Sequence, residues 1–524
     1  MRTFFVAIAL LLCAVAASAP KATVLPDGTY RYAISLGGRT VGNSTIVVHR
    51  DGAVIVMEER ADVAGVSLSS VRRLEESTFA TLSYTVDGAA GRAVVTVVGN
   101  DATVTQGKIS KKISAAPDAP LLVSDNLVAG WAQAPATLHA GGGEKLTLAC
   151  VCGGGFLAVP LSVTNSETGS LSVHGTDGVD VSLAFDPHSY VLERLDVASQ
   201  QASVVLQSQS SQVLPLPQPS AATPVPLPAA RYASRDVSIR AGDGVTLAGT
   251  ISMPDAAAAA VPAFVFVHGS GCIDRDETIG PNKVFAQLAN ALSNGGYAVL
   301  RYDKRSCGKS GGTFATRDRL IADARDVIAY LRALPGIDPS RIFVLGHSEG
   351  GELAPSIAIA DGHLRGIVLL APPALPLEQI LFKQLTRDAP AGQRAAAEKR
   401  ARAYISAVAA GNRTDAFAVW LRSSFGIDPA ALIAKVPCPI LIVQGTKDIQ
   451  VLAADTPRLV EAARSANRKL TLVMLPGDDH LFIKLGSGEI STGGEYFTPS
   501  YLDPALFSAI ESWLNVASGH TSGK

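Results

Sequence analysis

Ser348, in Gly346-His347-Ser348-Glu349-Gly350-Gly351, is the residue of this chain whose setting says most about chemistry. It follows the apolar run Ile342-Phe343-Val344-Leu345 and precedes a helix-compatible stretch over 352–360. A serine at a sharp strand-to-helix turn is held strained, with its oxygen pushed out at the carboxyl edge of a sheet. Glycines two positions to either side let strand and helix pass without a clashing Cβ. A hydroxyl is a weak nucleophile near neutral pH, so it needs an imidazole within reach and a carboxylate to fix that imidazole's tautomer. Downstream, Asp448 lies just past the apolar run 440–443, in Gly445-Thr446-Lys447-Asp448, and His480 closes Pro476-Gly477-Asp478-Asp479-His480. The chain order Ser348, Asp448, His480 is the one this strand-turn-helix architecture requires. His363 precedes the acid and His347 is bound into the turn, so neither is the expected base. Asp478 and Asp479 adjoin His480 and read as turn formers.

Attack by Ser348 on a carbonyl would create an oxyanion, which needs preorganised N–H donors. The N–H of Glu349, next after the nucleophile, is one. The second is expected from the loop after an earlier strand, where Ser270 stands in His268-Gly269-Ser270-Gly271. Two charged clusters, Asp274-Arg275-Asp276 and Arg301, Asp303, Lys304, Arg305, are expected to form an ion-pair network bracing that loop, with no catalytic part.

These residues need a scaffold. From residue 231 onward the pattern alternates between apolar strand runs and helical periodicity. Strands are predicted at 237–240 and 245–253, joined through Gly242-Asp243-Gly244, and then at 263–267, 297–302, 341–345, 366–370, 440–443 and 470–475. Helices are predicted at 282–294, 316–334, 456–466 and 504–516. Such alternation calls for a mostly parallel sheet covered by helices on both faces. The segment over 377–430 is too long for a simple connection, and its helical runs predict a cap over the site.

With these motifs in place, the chain from about 232 to 517 resembles the α/β-hydrolase family, specifically its serine-aminopeptidase-like branch with secreted and bacterial esterases. The resembling segments are HGSGCIDRDETIGPNKVFAQLANALSNGGYAVLRYDKR, GHSEGG, GTKD and DHLF. The resemblance implies a mostly parallel eight-stranded sheet with a helical cap, and a Ser348, Asp448, His480 triad with Ser270 and Glu349 at the oxyanion hole. Two residues depart from the pattern: Cys272 stands where proline is usual, and Cys307 where small residues are usual. In the implied fold the strands leading to those loops are neighbours, so a Cys272–Cys307 disulfide near the mouth of the site is expected.

The rest of the chain is of another kind. Met1 to Ala19 reads as a secretory signal peptide, with Arg2 ahead of an apolar run too short to span a membrane, so a secreted or periplasmic location is expected. Over 20–210, short runs rich in Val, Thr, Ser and Tyr, broken by Gly, Asn and Asp, predict an N-terminal all-β domain whose scattered histidines are structural. Prolines 215, 217, 219, 224, 226 and 228 mark an extended linker over 211–230. The catalytic domain then occupies 231–524. Beyond Cys13, five cysteines remain (Cys150, Cys152, Cys272, Cys307 and Cys438), so at least one thiol stays free.

A net charge of −1 from 45 basic and 46 acidic residues gives no reason to expect nucleic acid. Neither metal nor organic cofactor is implied. Within 377–430 the Lys and Arg residues outnumber the Asp and Glu residues, which argues against holding a substrate ammonium. The expected function is therefore hydrolysis of small or short-chain carboxylic esters through an acyl-enzyme. A serine peptidase, an aminopeptidase or a thioesterase is the alternative, and a non-catalytic binding protein is the alternative from another class.

Overall fold

The computed structural model describes residues 24–517, apart from short stretches at 64–65, 89–90, 107–108, 116–118, 120, 125–127, 142–143, 153–154, 176–179, 199–200, 218–223, 256–258, 388, 390–391, 393 and 414–415. Side chains bordering several of those stretches, and those of 149–160, are likewise outside it. The expected signal peptide and the side chains of Cys150 and Cys152 thus lie outside the described residues.

In the C-terminal half, eight strands form one sheet in the order Tyr232–Arg240, Thr246–Pro254, Ala298–Tyr302, Val261–Val267, Ile337–His347, Gly366–Leu370, Ile440–Gly445, Leu470–Leu475. Thr246–Pro254 is antiparallel to both of its neighbours, and the remaining pairs are parallel. The central strands carry continuous apolar runs, such as Ala263–Val267, Ile342–Leu345 and Ile440–Val443, because these stretches face a helical layer on both sides. Period two sorts the side chains. Ala263, Val265, Val267, Ile342, Val344, Ile367, Leu369, Ile440 and Ile442 enter the core shared with helices Arg317–Arg332 and Glu349–Asp361. Phe264, Phe266, Phe343, Leu345, Val368, Leu370, Leu441 and Val443 enter the opposite core, shared with helices Val284–Asn294 and Pro504–Ala517. There Phe264 stacks on Phe343 at 5.1 Å between ring centroids. Each such fully buried ring contributes on the order of 2 to 3 kcal/mol by burial.

The eight-stranded, mostly parallel sheet is the one the sequence implies, with several element boundaries shifted; the first strand starts at Tyr232, five residues before its predicted start. The helix expected from 282 starts at Val284, because Asn282–Lys283 pairs with Thr278–Ile279 in a small hairpin. The strand expected over 341–345 runs from Ile337 to His347, which carries it up to the serine. Among the described residues the cap segment contains four helices: Leu377–Thr386, Arg394–Ala409, Ala416–Ser424 and Pro429–Ile433.

Among the described residues the N-terminal half is a single sheet of 15 strands between Gly28 and Ser210. Most sequence neighbours pair as antiparallel hairpins, but Leu121–Ser124 lies parallel to Lys145–Cys152 and is not paired with Ile109–Ser114; the first strand, Gly28–Leu36, also pairs with the last, Ala202–Ser210. One helix, Val128–Gly141, lies against this sheet and was not legible as such. Its residues Val128, Ala129, Ala132, Ala134, Ala136 and Leu138 are all buried in the sheet's core, so it lacks the polar face that marks a surface helix. The buried Glu59 caps it: its carboxylate oxygens accept from Val128 N at 3.1 Å and Ala129 N at 2.9 Å. A negative charge at a helix N-terminus satisfies orphan N–H groups and opposes the dipole.

Candidate active site

Ser348 sits where the strand ending at His347 meets the helix starting at Glu349, with φ +53 and ψ −117. A non-glycine residue with that backbone stores about 1 to 3 kcal/mol of strain, which the surrounding packing must offset. The neighbouring glycines show what that packing requires. A Cβ on Gly346 would come 2.1 Å from Gly350 O, and one on Gly350 would come 1.9 Å from Val267 O. Ser348 N donates to Leu370 O at 2.9 Å, which ties the turn to the next strand. The helix N-terminus that begins here directs its free N–H groups toward the site.

Asp448 and His480 leave the carboxyl ends of the last two strands and meet: His480 Nδ1 donates to Asp448 Oδ2 at 2.7 Å. Both groups are buried. The other carboxylate oxygen accepts from Gln450 N at 2.8 Å and Val451 N at 2.9 Å, while Gln444 Nε2 reaches Oδ2 at 3.0 Å. Burial alone would raise the Asp448 pKa. The His480 ring and the backbone donors outweigh it and hold the carboxyl below its ordinary value. With Nδ1–H committed to the carboxylate, the lone pair of His480 is on Nε2. Among the described residues no hydrogen bond joins Ser348 Oγ to this ring, a leg that in such sites commonly tightens only with substrate in place.

His347 links the serine turn to the histidine loop. Its ring lies 4.9 Å from that of His480, its Nε2 donates to His480 O at 2.9 Å, and its Nδ1 donates to Glu277 Oε1 at 3.0 Å. A carbonyl and a carboxylate both accept, so this setting favours a proton on each ring nitrogen of His347. Burial pushes its pKa down, but Glu277 more than compensates and the net shift is upward. Glu277 shifts downward in turn, as His347 overcomes the burial of its carboxyl.

The loop after Val267 approaches the serine closely: a Cβ on Gly269 would stand 3.4 Å from Ser348 Cβ. Ser270 is exposed at this loop, and Ser348 is partly exposed beside it. A disulfide joins Cys272 to Cys307, with 5.4 Å between Cα atoms. Cys438 is a free, buried thiol, and burial pushes its pKa up to about 12.

The two charged clusters form the network that the sequence suggests. Arg275 grips Asp303 through Nη2 at 2.8 Å, and Arg301 pairs with Asp276. Arg305 turns away to Asp323 and Asp243. Lys304 alone among them turns inward, toward Glu349. Glu277 and Trp420 are neighbours of the site that sequence reasoning missed, and Lys304 is one it named only as part of the bracing network. Glu277 directly follows a cluster that reads as an ion-pair network without including it, Lys304 was grouped with its pairing neighbours, and Trp420 lies in a cap whose placement no local pattern encodes.

Residues 264–484 match the family model described as alpha/beta hydrolase family. This C-terminal domain has the α/β-hydrolase fold. Its relatives include Esterase EstD of Thermotoga maritima, 32% identical over 275 residues, which are 51% of this chain and 65% of the relative. An uncharacterized protein of Mycobacterium tuberculosis is 28% identical over 270 residues, 49% of this chain and 76% of its own. Among solved structures, Est1E of Butyrivibrio proteoclasticus aligns with 54% of this chain and 99% of its own at 18% identity, with a TM-score of 0.38. The chain thus spans under two thirds of EstD, and these alignments reach about half of this chain.

Proposed function

We propose that the α/β-hydrolase domain is a carboxylic ester hydrolase that works through an acyl-enzyme on Ser348. The observation that carries this reading is the buried Asp448–His480 hydrogen bond, its imidazole against the turn that holds Ser348 strained. Ser348 Oγ attacks the ester carbonyl carbon as His480 Nε2 takes its proton, giving a tetrahedral oxyanion held by the N–H groups of Ser270 and Glu349. Collapse breaks the bond to the alcohol oxygen, which leaves with the proton from His480. Water then repeats the sequence on the acyl group: it loses a proton to His480, and the acid leaves as the proton returns to Ser348. Asp448 keeps the imidazole in the right tautomer throughout. The name of EstD supports an ester as substrate class.

A fluorophosphonate probe and a panel of p-nitrophenyl esters of graded chain length, beside aminoacyl anilides, test the proposal. Expected are covalent labelling, lost in Ser348→Ala, and turnover of short-chain esters without turnover of anilides. Folded wild-type protein that neither labels nor turns over any ester would leave a binding role for the domain. Turnover of anilides would make it a peptidase.

A further inference from the structure

Gly269 immediately precedes Ser270 and shares a peptide plane with it. In a trans peptide the C=O of one residue and the N–H of the next point in opposite directions, so fixing the Gly269 carbonyl aims the Ser270 N–H. Both polar groups of Gly269 are pinned by buried charges. Its N–H donates to Glu277 Oε1 at 2.7 Å, and its carbonyl accepts from Lys304 Nζ at 2.9 Å. Glu277 is 1% exposed and Lys304 5%, which leaves solvent little room to loosen either bond.

The same Lys304 ammonium donates to Glu349 Oε2 at 2.5 Å, and Glu349 is the residue whose backbone N–H is the other proposed donor. Trp420 Nε1, on the cap helix Ala416–Ser424, holds the remaining Glu349 oxygen at 2.6 Å. Lys304 N also donates to Ile273 O at 3.1 Å, and the Cys272–Cys307 bond staples the same two loops. One cation therefore ties together the two segments that would face the oxyanion, and its carboxylate counterpart Glu277 ties the first of them to His347.

We infer that Lys304 and Glu277 are positioning residues that aim the Ser270 N–H, with Lys304 also holding it in register with the Glu349 N–H. The inference rests on the ester-hydrolase reading above. Neither residue touches the reacting atoms. Their effect is on the direction of a dipole, and a misdirected donor stabilises the tetrahedral state less while leaving ground-state binding alone.

The test uses the full-length protein with p-nitrophenyl acetate as substrate and a trifluoromethyl ketone as tetrahedral mimic. Lys304→Met keeps the aliphatic stem and removes the donor. It is expected to lower kcat about 10- to 100-fold, less than the loss of a whole oxyanion donor, with KM within about threefold. The ketone should lose affinity by a similar factor. Glu277→Leu should behave alike, and Glu277→Gln, which keeps one acceptor oxygen, should recover most of that loss. Either Lys304→Met or Glu277→Leu suffices should the other fail to fold. A folded Lys304→Met or Glu277→Leu protein with kcat within threefold of wild type, or with its loss wholly in KM, would overturn the inference while the hydrolase reading stands. Wild-type protein without ester turnover would overturn both.

Discussion

Asp448 uses every acceptor position it has: backbone donors on one oxygen, and His480 with Gln444 on the other. An amide there keeps the shape but presents either a weaker acceptor or an N–H to the ring, which favours the wrong tautomer. Asp448→Asn is expected to lower kcat about 10⁴-fold with KM little changed, as loss of the orienting acid does in triads; a drop under tenfold on p-nitrophenyl acetate would remove Asp448 from that role. Asp479 next to the histidine has a different part. Burial first, then the Glu495 and Asp448 carboxylates, push its pKa up to about 7, although two backbone N–H groups pull the other way. A carboxyl whose pKa is raised by folding gives stability that is complete below its unfolded value near 4 and is lost as pH rises through about 7. Asp479→Asn keeps an acceptor for Leu481 N and Ile483 N. The melting temperature of this variant relative to wild type should therefore rise between pH 5 and pH 8. An equal difference at both pH values would show that the carboxyl does not titrate there. The meeting of Asp448 with His480 and the sharp turn at Ser348 were legible because each of the three follows an apolar strand run. Glu277 and Lys304 were not, because Asp276 and Asp303 beside them do face ion-pair partners, and no spacing tells which member of a charged run turns inward.

The turn holding Ser348 is the element on which the site depends most. Gly350 and Gly362 lie at opposite ends of the helix that follows it, and the structure separates their roles. A Cβ on Gly350 meets the carbonyl of a neighbouring strand, whereas around Gly362, at φ +73, nothing lies within 4 Å. Gly350→Ala is expected to cost more than about 3 kcal/mol or to prevent folding, because backbone on both sides would have to move. Gly362→Ala should cost only about 1 kcal/mol, the strain of a left-handed residue. Urea midpoints for the two variants measure the contrast, and equal losses would refute it. The glycine pattern around Ser348 was readable because backbone collisions obey local geometry. The helix Val128–Gly141 was not, because its apolar residues are spread round most of its surface, its polar Gln133 and Thr137 are buried, and it carries Pro135, all of which hide its period.

At the scale of the whole molecule, the two halves touch through the turn at Gly37 and Gly38. Leu36 and Gly37 pack against Thr492 and Gly494, Arg39 pairs with Glu489 at 2.9 Å, and Asp180 pairs with Arg400 of the cap at 2.6 Å. The Arg39 pair is exposed, so Arg39→Ala should change stability by less than about 1 kcal/mol. Gly37→Val is different: a Cβ there would fall 1.9 Å from Thr492 Oγ1 at a φ of +57. This variant is expected to loosen the interface and speed cleavage of the 211–230 linker by proteinase K, with Arg39→Ala cut at the wild-type rate. Cleavage no faster in Gly37→Val would place the coupling of the halves elsewhere. No sequence pattern indicated this contact, since a glycine pair in a hairpin is explained by the turn alone.

The pairing of the first and last strands of the N-terminal sheet bears on how the protein is made. Thr29 and Gln212, hydrogen-bonded across that seam, are 183 positions apart in the chain. A ribosome releases residues in order, so the opening strand must wait, with one edge unpaired, until nearly the whole module has emerged. Closing so distant a pair is entropically slow. Assembly of this half is therefore expected to finish only after translation has moved into the hydrolase half, and a chaperone that shields bare strand edges would have its longest task here.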